Sequence, residues 1–107
     1  MSVTPEKFQK ITIVSRKDYA EGLWSLRVRP EEPLVFKPGQ YAPLGIETGN
    51  HTLERPYSIV SSPAEEEIEF LFELVTHGGL TPILHDMKVG DSLLMRRRAK
   101  GRFTFDG

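Results

Sequence analysis

The chain has 107 residues, a formal net charge of −1 at neutral pH, and a composition that is 38% hydrophobic and 27% charged. These values are ordinary for a single globular domain, and a net charge near zero provides no general attraction to nucleic acid or to an acidic membrane. Cysteine is absent, which excludes disulfides, iron–sulfur clusters and thiolate zinc sites and is compatible with a reducing, cytoplasmic location. The sequence contains no apolar run long enough to span a membrane.

Alternating apolar and polar residues predict six short β-strands, separated by turns rich in glycine and proline. The clearest strand is Ile68–Leu74, in which apolar side chains alternate with glutamates. In the second strand we expect Trp24 to be a core residue. In the third strand Pro43 predicts an edge position or a bulge, because proline cannot donate to a neighbouring strand. The remaining strand ranges are predicted to be 8–14, 24–28, 42–46, 55–60 and 92–96.

One segment, Thr81–Met87, departs from this alternation and predicts a short helix. Thr81 is a suitable N-cap, and Pro82 suits the first helical turn. The apolar stripe is predicted to consist of Ile83, Leu84 and Met87. The fold class is therefore all-β with one short helix between the last two strands, and the strand spacing indicates an antiparallel barrel or sandwich.

The segment Arg55-Pro56-Tyr57-Ser58 combines three side chains that could hold a ring system joined to a phosphate. In an extended strand Arg55 and Tyr57 point to the same side. The guanidinium is a charged donor for phosphate oxygens, the phenol ring offers a flat face, and the Ser58 hydroxyl can donate or accept at a ring nitrogen. The simpler alternative is an ordinary strand with one exposed arginine and a half-buried tyrosine.

The segment Gly78-Gly79-Leu80-Thr81 leads into the predicted helix. The two glycines allow close approach of the backbone to a ligand, and free N–H groups at a helix start favour an anion. A capped loop without a ligand is the alternative. This is not a nucleotide-binding P-loop, because no Gly-Lys-Ser/Thr follows.

Together the two segments offer a cation, an aromatic face and a set of main-chain donors, which a dinucleotide such as FAD could use. These two segments are among five motifs whose order and spacing resemble those of the ferredoxin/flavodoxin–NADP⁺ reductase superfamily. The bacterial-type reductases are the most similar members. The motifs that carry this resemblance are Pro38-Gly39-Gln40-Tyr41, Arg55-Pro56-Tyr57-Ser58-Ile59-Val60-Ser61, Gly78-Gly79-Leu80-Thr81, Gly90-Asp91 and Lys100-Gly101-Arg102-Phe103.

The resemblance implies a six-stranded antiparallel Greek-key barrel that binds FAD and serves electron transfer between NADPH and ferredoxin or flavodoxin. By motif match, Arg55 would bind the FAD pyrophosphate, Tyr57 would stack on the isoalloxazine ring, and Ser58 would lie near flavin N5. Tyr57 and Ser58 would be the catalytic residues. The main chain of Ile59 and Val60 would border the flavin. At the helix start, the pyrophosphate would contact Gly79, Leu80 and Thr81. Regular alternation, however, places Ser58 on the strand face opposite Tyr57, so the strand must twist or end there.

The resemblance also implies a second, nicotinamide-binding α/β domain. No Gly-x-Gly-x-x-Gly turn is present, so we expect residues 1–107 to form the FAD-binding domain alone, without the NADP-binding domain and without the full reaction. Two alternatives stay open. The chain could be a small β-barrel interaction module without a cofactor, since barrels host many functions. It could also belong to the reductase component of another flavin-dependent electron-transfer system.

The remaining charged residues predict less. The basic run could dock an acidic electron carrier, contact phosphates, or be a solvated strand end; it consists of Arg96, Arg97, Arg98, Lys100 and Arg102. The run Glu65–Glu67 is interpreted as a solvated hairpin tip. The three histidines are scattered, and their spacing does not predict a metal site.

Overall fold

The structure is a computed structural model that describes residues 7–100. It is all-β with one short helix, as the sequence predicts. No helix in the described range is long and apolar enough to cross a membrane. The elements in chain order are β1 (Phe8–Ala20), β2 (Leu23–Pro30), β3 (Tyr41–Thr48), β4 (His51–Ser58), β5 (Ile68–Glu73), α1 (Thr81–His85) and β6 (Ser92–Arg96).

The six strands form one antiparallel sheet in the order β4-β3-β6-β1-β2-β5. The hairpins β1–β2 and β3–β4 are joined by β6, which lies between β1 and β3 and produces the Greek-key arrangement. The edge strands β4 and β5 meet at one end only, where Ile59 bridges Phe70 and the Val60 N–H donates to the Glu69 carbonyl at 2.9 Å. The predicted barrel is thus present, but it is not closed along the whole of β4 and β5.

The core is one cluster of buried side chains, to which β1, β2, β3, β5, β6 and α1 contribute. Trp24 is fully buried, as predicted, and so are the apolar faces of β2 and β5. Each such side chain contributes on the order of 1.5–3 kcal/mol by its removal from water. The two strands place their apolar residues directly opposite one another, in the pairs Trp24–Phe72, Leu26–Phe70 and Val28–Ile68.

Two strand predictions need correction. The first strand continues past Val14 to Ala20, and register shifts along β1 explain why the alternation is lost there. The prediction that Pro43 marks an edge or a bulge is wrong, because β3 lies between β4 and β6. The proline is tolerated because β3 pairs with β6 only through two later residues, and Pro43 faces another proline, Pro56, in β4.

The helix also differs from its prediction. Its N-cap is Leu80, without a side-chain cap, and Pro82 lies in the first turn. The Thr81 hydroxyl is instead hydrogen-bonded to the main chain of Val75. Leu84 is fully buried as predicted, whereas Ile83 is 37% exposed. Met87 lies beyond the five-residue helix but is partly buried and packs against the core, so only Ile83 departs from the predicted stripe.

The acidic hairpin tip is not merely solvated. Glu65 pairs with Arg27 at 2.7 Å, and Glu67 pairs with Arg29 at 2.8 Å. The two arginines project from the outer face of β2, as the alternation predicts. These ion pairs fasten the loop between β4 and β5 to the neighbouring strand.

Candidate functional site

A groove of about 420 Å³ occupies the opening in the sheet between β4 and the segment that follows β5. This volume is within the range of about 300–1,000 Å³ typical of small-molecule sites. The fold brings together the two segments that the sequence singled out, although 19 residues (59–77) separate them along the chain. The groove is lined by Arg55, Pro56, Tyr57, Glu73, Val75, Gly78, Gly79, Leu80 and Thr81.

Tyr57 provides the aromatic surface of the groove. Its ring packs edge-on against Phe72, with ring centroids 4.8 Å apart and an interplanar angle of 66°. Burial raises the pKa of Tyr57, and the nearby Arg55 charge opposes this only in part. The phenol is therefore neutral at physiological pH and offers a flat, uncharged face to a ligand.

Arg55 provides the positive charge. Its Nη1 donates to the carbonyl oxygen of Glu54 at 2.7 Å, and within residues 7–100 no carboxylate lies within ion-pair distance of it. Five other arginines in this range do have such a partner. An exposed guanidinium without a carboxylate partner is suited to an anionic ligand, to which it can donate charge-assisted hydrogen bonds.

The opposite wall is the turn before α1, and it is held in shape by its own hydrogen bonds. The Gly78 N–H donates to the Val75 carbonyl at 2.8 Å. The Thr81 hydroxyl accepts from the Val75 N–H at 3.0 Å and donates to the Val75 carbonyl at 3.3 Å. Since this hydroxyl already has two partners, Thr81 offers a ligand chiefly its main chain. With only five helical residues the dipole of α1 is small, so Arg55 is the main source of positive charge.

The two glycines of this turn serve different purposes. A Cβ on Gly78 would lie 3.1 Å from the Val75 carbonyl oxygen and 3.3 Å from the Val75 Cβ. A side chain at Gly78 would therefore crowd the turn, which is a packing reason for glycine at this position. The expectation that Gly78 lets the main chain approach a ligand stays a prediction. A Cβ on Gly79 would meet a methyl group of Leu53 at 3.3 Å, which a flexible side chain can relieve.

Three of the sequence-predicted residues do not line the groove. Ser58 is exposed at the end of β4 and pairs with Tyr41, whereas Tyr57 pairs with Ala42, so the two side chains do point to opposite faces. Ile59 is buried, and its N–H donates to the Gln40 carbonyl at 3.1 Å. The Val60 N–H is likewise used, by the Glu69 carbonyl. The roles assigned to these residues remain predictions.

An ion pair that the sequence did not reveal flanks the groove on the outer face of the sheet. Arg96 donates to both carboxylate oxygens of Glu54, at 2.9 and 2.7 Å, and lies over the Phe8 ring at 4.8 Å. The Arg96 hydrogen bond lowers the pKa of Glu54. Sequence inspection missed the pair because β6 and β4 are joined only through β3, and local periodicity holds no trace of that contact.

The basic run is partly neutralised. In addition to Arg96, Arg97 is paired, with Glu32 at 2.8 Å. Arg98 and Lys100 line a surface cleft of about 430 Å³ together with Lys7, Arg96 and Arg97. Arg102 lies outside the described residues, as do the other members of its motif after Lys100.

The groove therefore combines a guanidinium without a carboxylate partner, a neutral aromatic face and a preformed glycine turn. Residues 8–105 match the family described as the oxidoreductase FAD-binding domain. The chain belongs to this family. FAD, the cofactor of the family, consists of an aromatic ring system joined to a pyrophosphate, and the groove residues suit both parts.

Known relatives agree with this membership. The chain is 34% identical over 94 residues to a ferredoxin–NADP reductase of Pseudomonas aeruginosa, an alignment that covers 88% of this chain and 36% of that protein. It is 35% identical over 97 residues to a flavodoxin/ferredoxin–NADP reductase of Escherichia coli, covering 91% and 38%. The chain thus spans little more than a third of the length of these curated relatives.

The fold is shared with solved structures. A ferredoxin NADP⁺ reductase from Neisseria gonorrhoeae with bound FAD and NADP superposes with a TM-score of 0.84 at 28% identity, over 89% of this chain and 39% of that one. A flavohemoglobin from Malassezia yamatoensis superposes with a TM-score of 0.78 at 22% identity, over 91% and 26%, which shows likeness of fold alone.

Proposed function

We propose that this chain binds FAD in the groove between β4 and the turn before α1, as the flavin domain of an enzyme of the ferredoxin/flavodoxin–NADP⁺ reductase type. The observation that carries the proposal is the position of Arg55 and Tyr57 on one wall, opposite Gly79–Thr81 on the other. Membership of the FAD-binding family supports it.

Each wall has a distinct task in this proposal. Arg55 binds the pyrophosphate by charge-assisted hydrogen bonds, and the main chain of Gly79, Leu80 and Thr81 encloses the same group from the other side. Tyr57 stacks on the isoalloxazine ring. Ser58 reaches the ring at flavin N5 from the end of β4, where the strand leaves its regular pairing, and the main chain of Ile59 and Val60 lies at the ring's edge.

The bound cofactor supplies the redox chemistry, since a flavin takes up two electrons as a hydride and can release them singly. The chain's own residues orient and shield it. The neutral Tyr57 ring keeps water from one face, and the Ser58 hydroxyl can donate to or accept from a ring nitrogen. In the whole protein we propose that NADPH is the electron source, held by a separate α/β domain, and that ferredoxin or flavodoxin is the electron partner, in the cytoplasm. The basic cleft around Arg98 and Lys100 suits such an acidic carrier through electrostatic steering.

The test is a titration of the chain with FAD, followed by flavin fluorescence, with Arg55→Ala and Arg29→Ala as variants. Loss of a charge-assisted phosphate contact costs about 1.5–3 kcal/mol, so Arg55→Ala should weaken FAD binding about tenfold or more. Arg29 is a matched control, because it is an exposed strand arginine outside the groove; its variant should bind like the wild type. Folded wild-type protein that fails to bind millimolar FAD would contradict the proposal, and equal affinity in Arg55→Ala would remove Arg55 from the pyrophosphate site.

A further inference from the structure

Arg16, in β1, donates hydrogen bonds to the C-terminal end of α1 and to the chain just beyond it, although it does not itself line the groove. Its Nη1 donates to the carbonyl oxygens of His85 at 2.7 Å and Met87 at 2.8 Å, which are the last carbonyls of the helix and its extension. Its Nε and Nη2 donate to the carboxylate of Asp18 at distances of 2.9 to 3.3 Å. One planar guanidinium thus joins β1 to the end of α1.

The same guanidinium lies over the Trp24 ring, 5.4 Å from its centroid. The His85 ring contacts Trp24 edge-on at 4.8 Å, and Trp24 stacks on Phe72 at 5.4 Å. Phe72 in turn supports Tyr57 at 4.8 Å. Arg16 is therefore connected to both walls of the groove, through the helix on one side and through the buried aromatic rings on the other.

Helix α1 depends on such external contacts. Isolated helices shorter than about 12–15 residues are marginal in water, and α1 has five residues and no side-chain N-cap. The last carbonyls of a helix have no partner within the helix, and a cation there is favourable. Arg16 satisfies one such carbonyl, that of His85, and also the carbonyl of Met87 just past the C-cap. At the N-terminal end, the Thr81 hydroxyl is hydrogen-bonded to Val75.

We propose that Arg16, held by Asp18, is a positioning residue for nucleotide binding, because it sets the place of α1 and thereby of the Gly79–Thr81 wall. The inference rests on the proposed function, since it assumes that this wall binds the FAD pyrophosphate. The forked guanidinium is necessary to its role, because it donates to two carbonyls along one edge and to a carboxylate along another.

The experiment compares wild type, Arg16→Met, Asp18→Asn and Arg27→Met. Arg27 is the matched control, since it is a strand arginine that also bonds to carboxylates but faces the β4–β5 loop instead of α1. Three quantities are measured: FAD affinity well below the unfolding temperature, the thermal midpoint, and the emission spectrum of Trp24, which is the chain's single tryptophan. Amide hydrogen exchange at Leu84 and Met87 reports on the helix directly.

Arg16→Met should weaken FAD binding about tenfold, shift the Trp24 emission and speed exchange in α1. Asp18→Asn should show the same changes at smaller size. Arg27→Met should lower the thermal midpoint about as much as Arg16→Met does, but it should leave FAD affinity and Trp24 emission unchanged. This difference separates positioning of α1 from general stability. Equal losses of affinity in Arg16→Met and Arg27→Met would overturn the inference, as would unaltered affinity in Arg16→Met.

Absence of FAD binding in the wild type would contradict the proposed function instead. The positioning of α1 would then be decided by hydrogen exchange, because unchanged exchange at Leu84 and Met87 in Arg16→Met would show that Arg16 does not hold the helix.

Discussion

Tyr57 shows how a half-buried side chain can serve the core and a ligand at once. One edge of its ring packs on Phe72, and the remainder faces the groove. Because burial raises the pKa of Tyr57, its hydroxyl stays protonated at neutral pH. The neutral ring is then available for stacking at any pH near neutrality.

Tyr57→Ser removes the stacking surface, so bound FAD should fluoresce more strongly and bind more weakly. An aromatic pair contributes about 0.5–1.5 kcal/mol beyond its area burial, which corresponds to a severalfold or larger loss of affinity. Fluorescence titration measures both effects. Tyr57→Phe is the control, because it keeps the ring and should retain the quenching. An unchanged flavin spectrum and affinity in Tyr57→Ser would show that the ring does not stack on the flavin.

Among the elements, the turn from Val75 to Thr81 shows most directly how the chain fixes the shape of a groove wall. It is held by bonds between the Thr81 hydroxyl and both main-chain groups of Val75, and by the close fit of Gly78 against Val75. Strand β4 is equally important, because its place at the edge of the sheet leaves Arg55 and Tyr57 beside an opening. A ligand site forms here because the two edge strands meet only at Ile59 and Val60 and are not paired alongside Arg55 and Tyr57.

Thr81→Val keeps the shape of the side chain but removes the hydroxyl from the turn. Loss of a hydrogen-bond partner at a buried donor costs about 1–3 kcal/mol, and Thr81 is buried. We therefore expect a lower free energy of unfolding in urea, together with weaker FAD binding because the wall loses its shape. Thr81→Ser should restore both. If Thr81→Val lowers affinity without affecting stability, the hydroxyl contacts the ligand directly and not the turn.

Across the whole molecule, ion pairs connect distant strands, and this predicts sensitivity to acid. Arginine hydrogen bonds lower the pKa values of Asp18, Glu54 and Glu65. A carboxyl group whose pKa is depressed on folding stabilises the folded state above its unfolded pKa, near 4, and that contribution is lost as the pH falls through the folded value. Stability should therefore be level near neutrality and decline in the acid range.

Glu54→Gln removes one of these contributions. Thermal midpoints measured from pH 7 to pH 3 should show a lower value for the variant at neutral pH and a smaller decline on acidification. Glu66→Gln is the control, since Glu66 forms no ion pair within residues 7–100. Parallel pH curves for wild type and Glu54→Gln would show that the Glu54–Arg96 pair contributes nothing to the acid response.

The described residues, taken together, predict that this chain alone transfers hydride from NADPH to FAD only slowly. Hydride transfer requires the nicotinamide carbon to be held about 3–3.5 Å from the flavin, and residues 7–100 contain no βαβ unit that could hold the nucleotide. FAD-loaded chain mixed anaerobically with NADPH should therefore bleach slowly, and a longer chain that includes the proposed nicotinamide-binding domain should bleach fast. Fast, saturable bleaching of this chain alone would show that it has its own nicotinamide site.

The sequence by itself determined the all-β class, the core faces of β2 and β5, and the segments that form the groove. These features are local: the alternation of Ile68–Leu74 repeats every two residues, and Arg55 and Tyr57 share a face because they lie two positions apart. Family resemblance then supplied the cofactor, because several short motifs occur in the right order.

Only the tertiary structure decided how these segments are joined. The insertion of β6 between β1 and β3 makes β3 an interior strand despite Pro43 and brings Arg96 to Glu54, 42 positions away. The bonds from Arg16 to His85 and Met87 span 69 and 71 positions. Such contacts arise from strand order and from the need of helix carbonyls for partners, and neither leaves a periodic pattern in the sequence. The hydroxyl of Thr81 went to the turn instead of the helix cap for the same reason, since Val75 is brought to it by the fold.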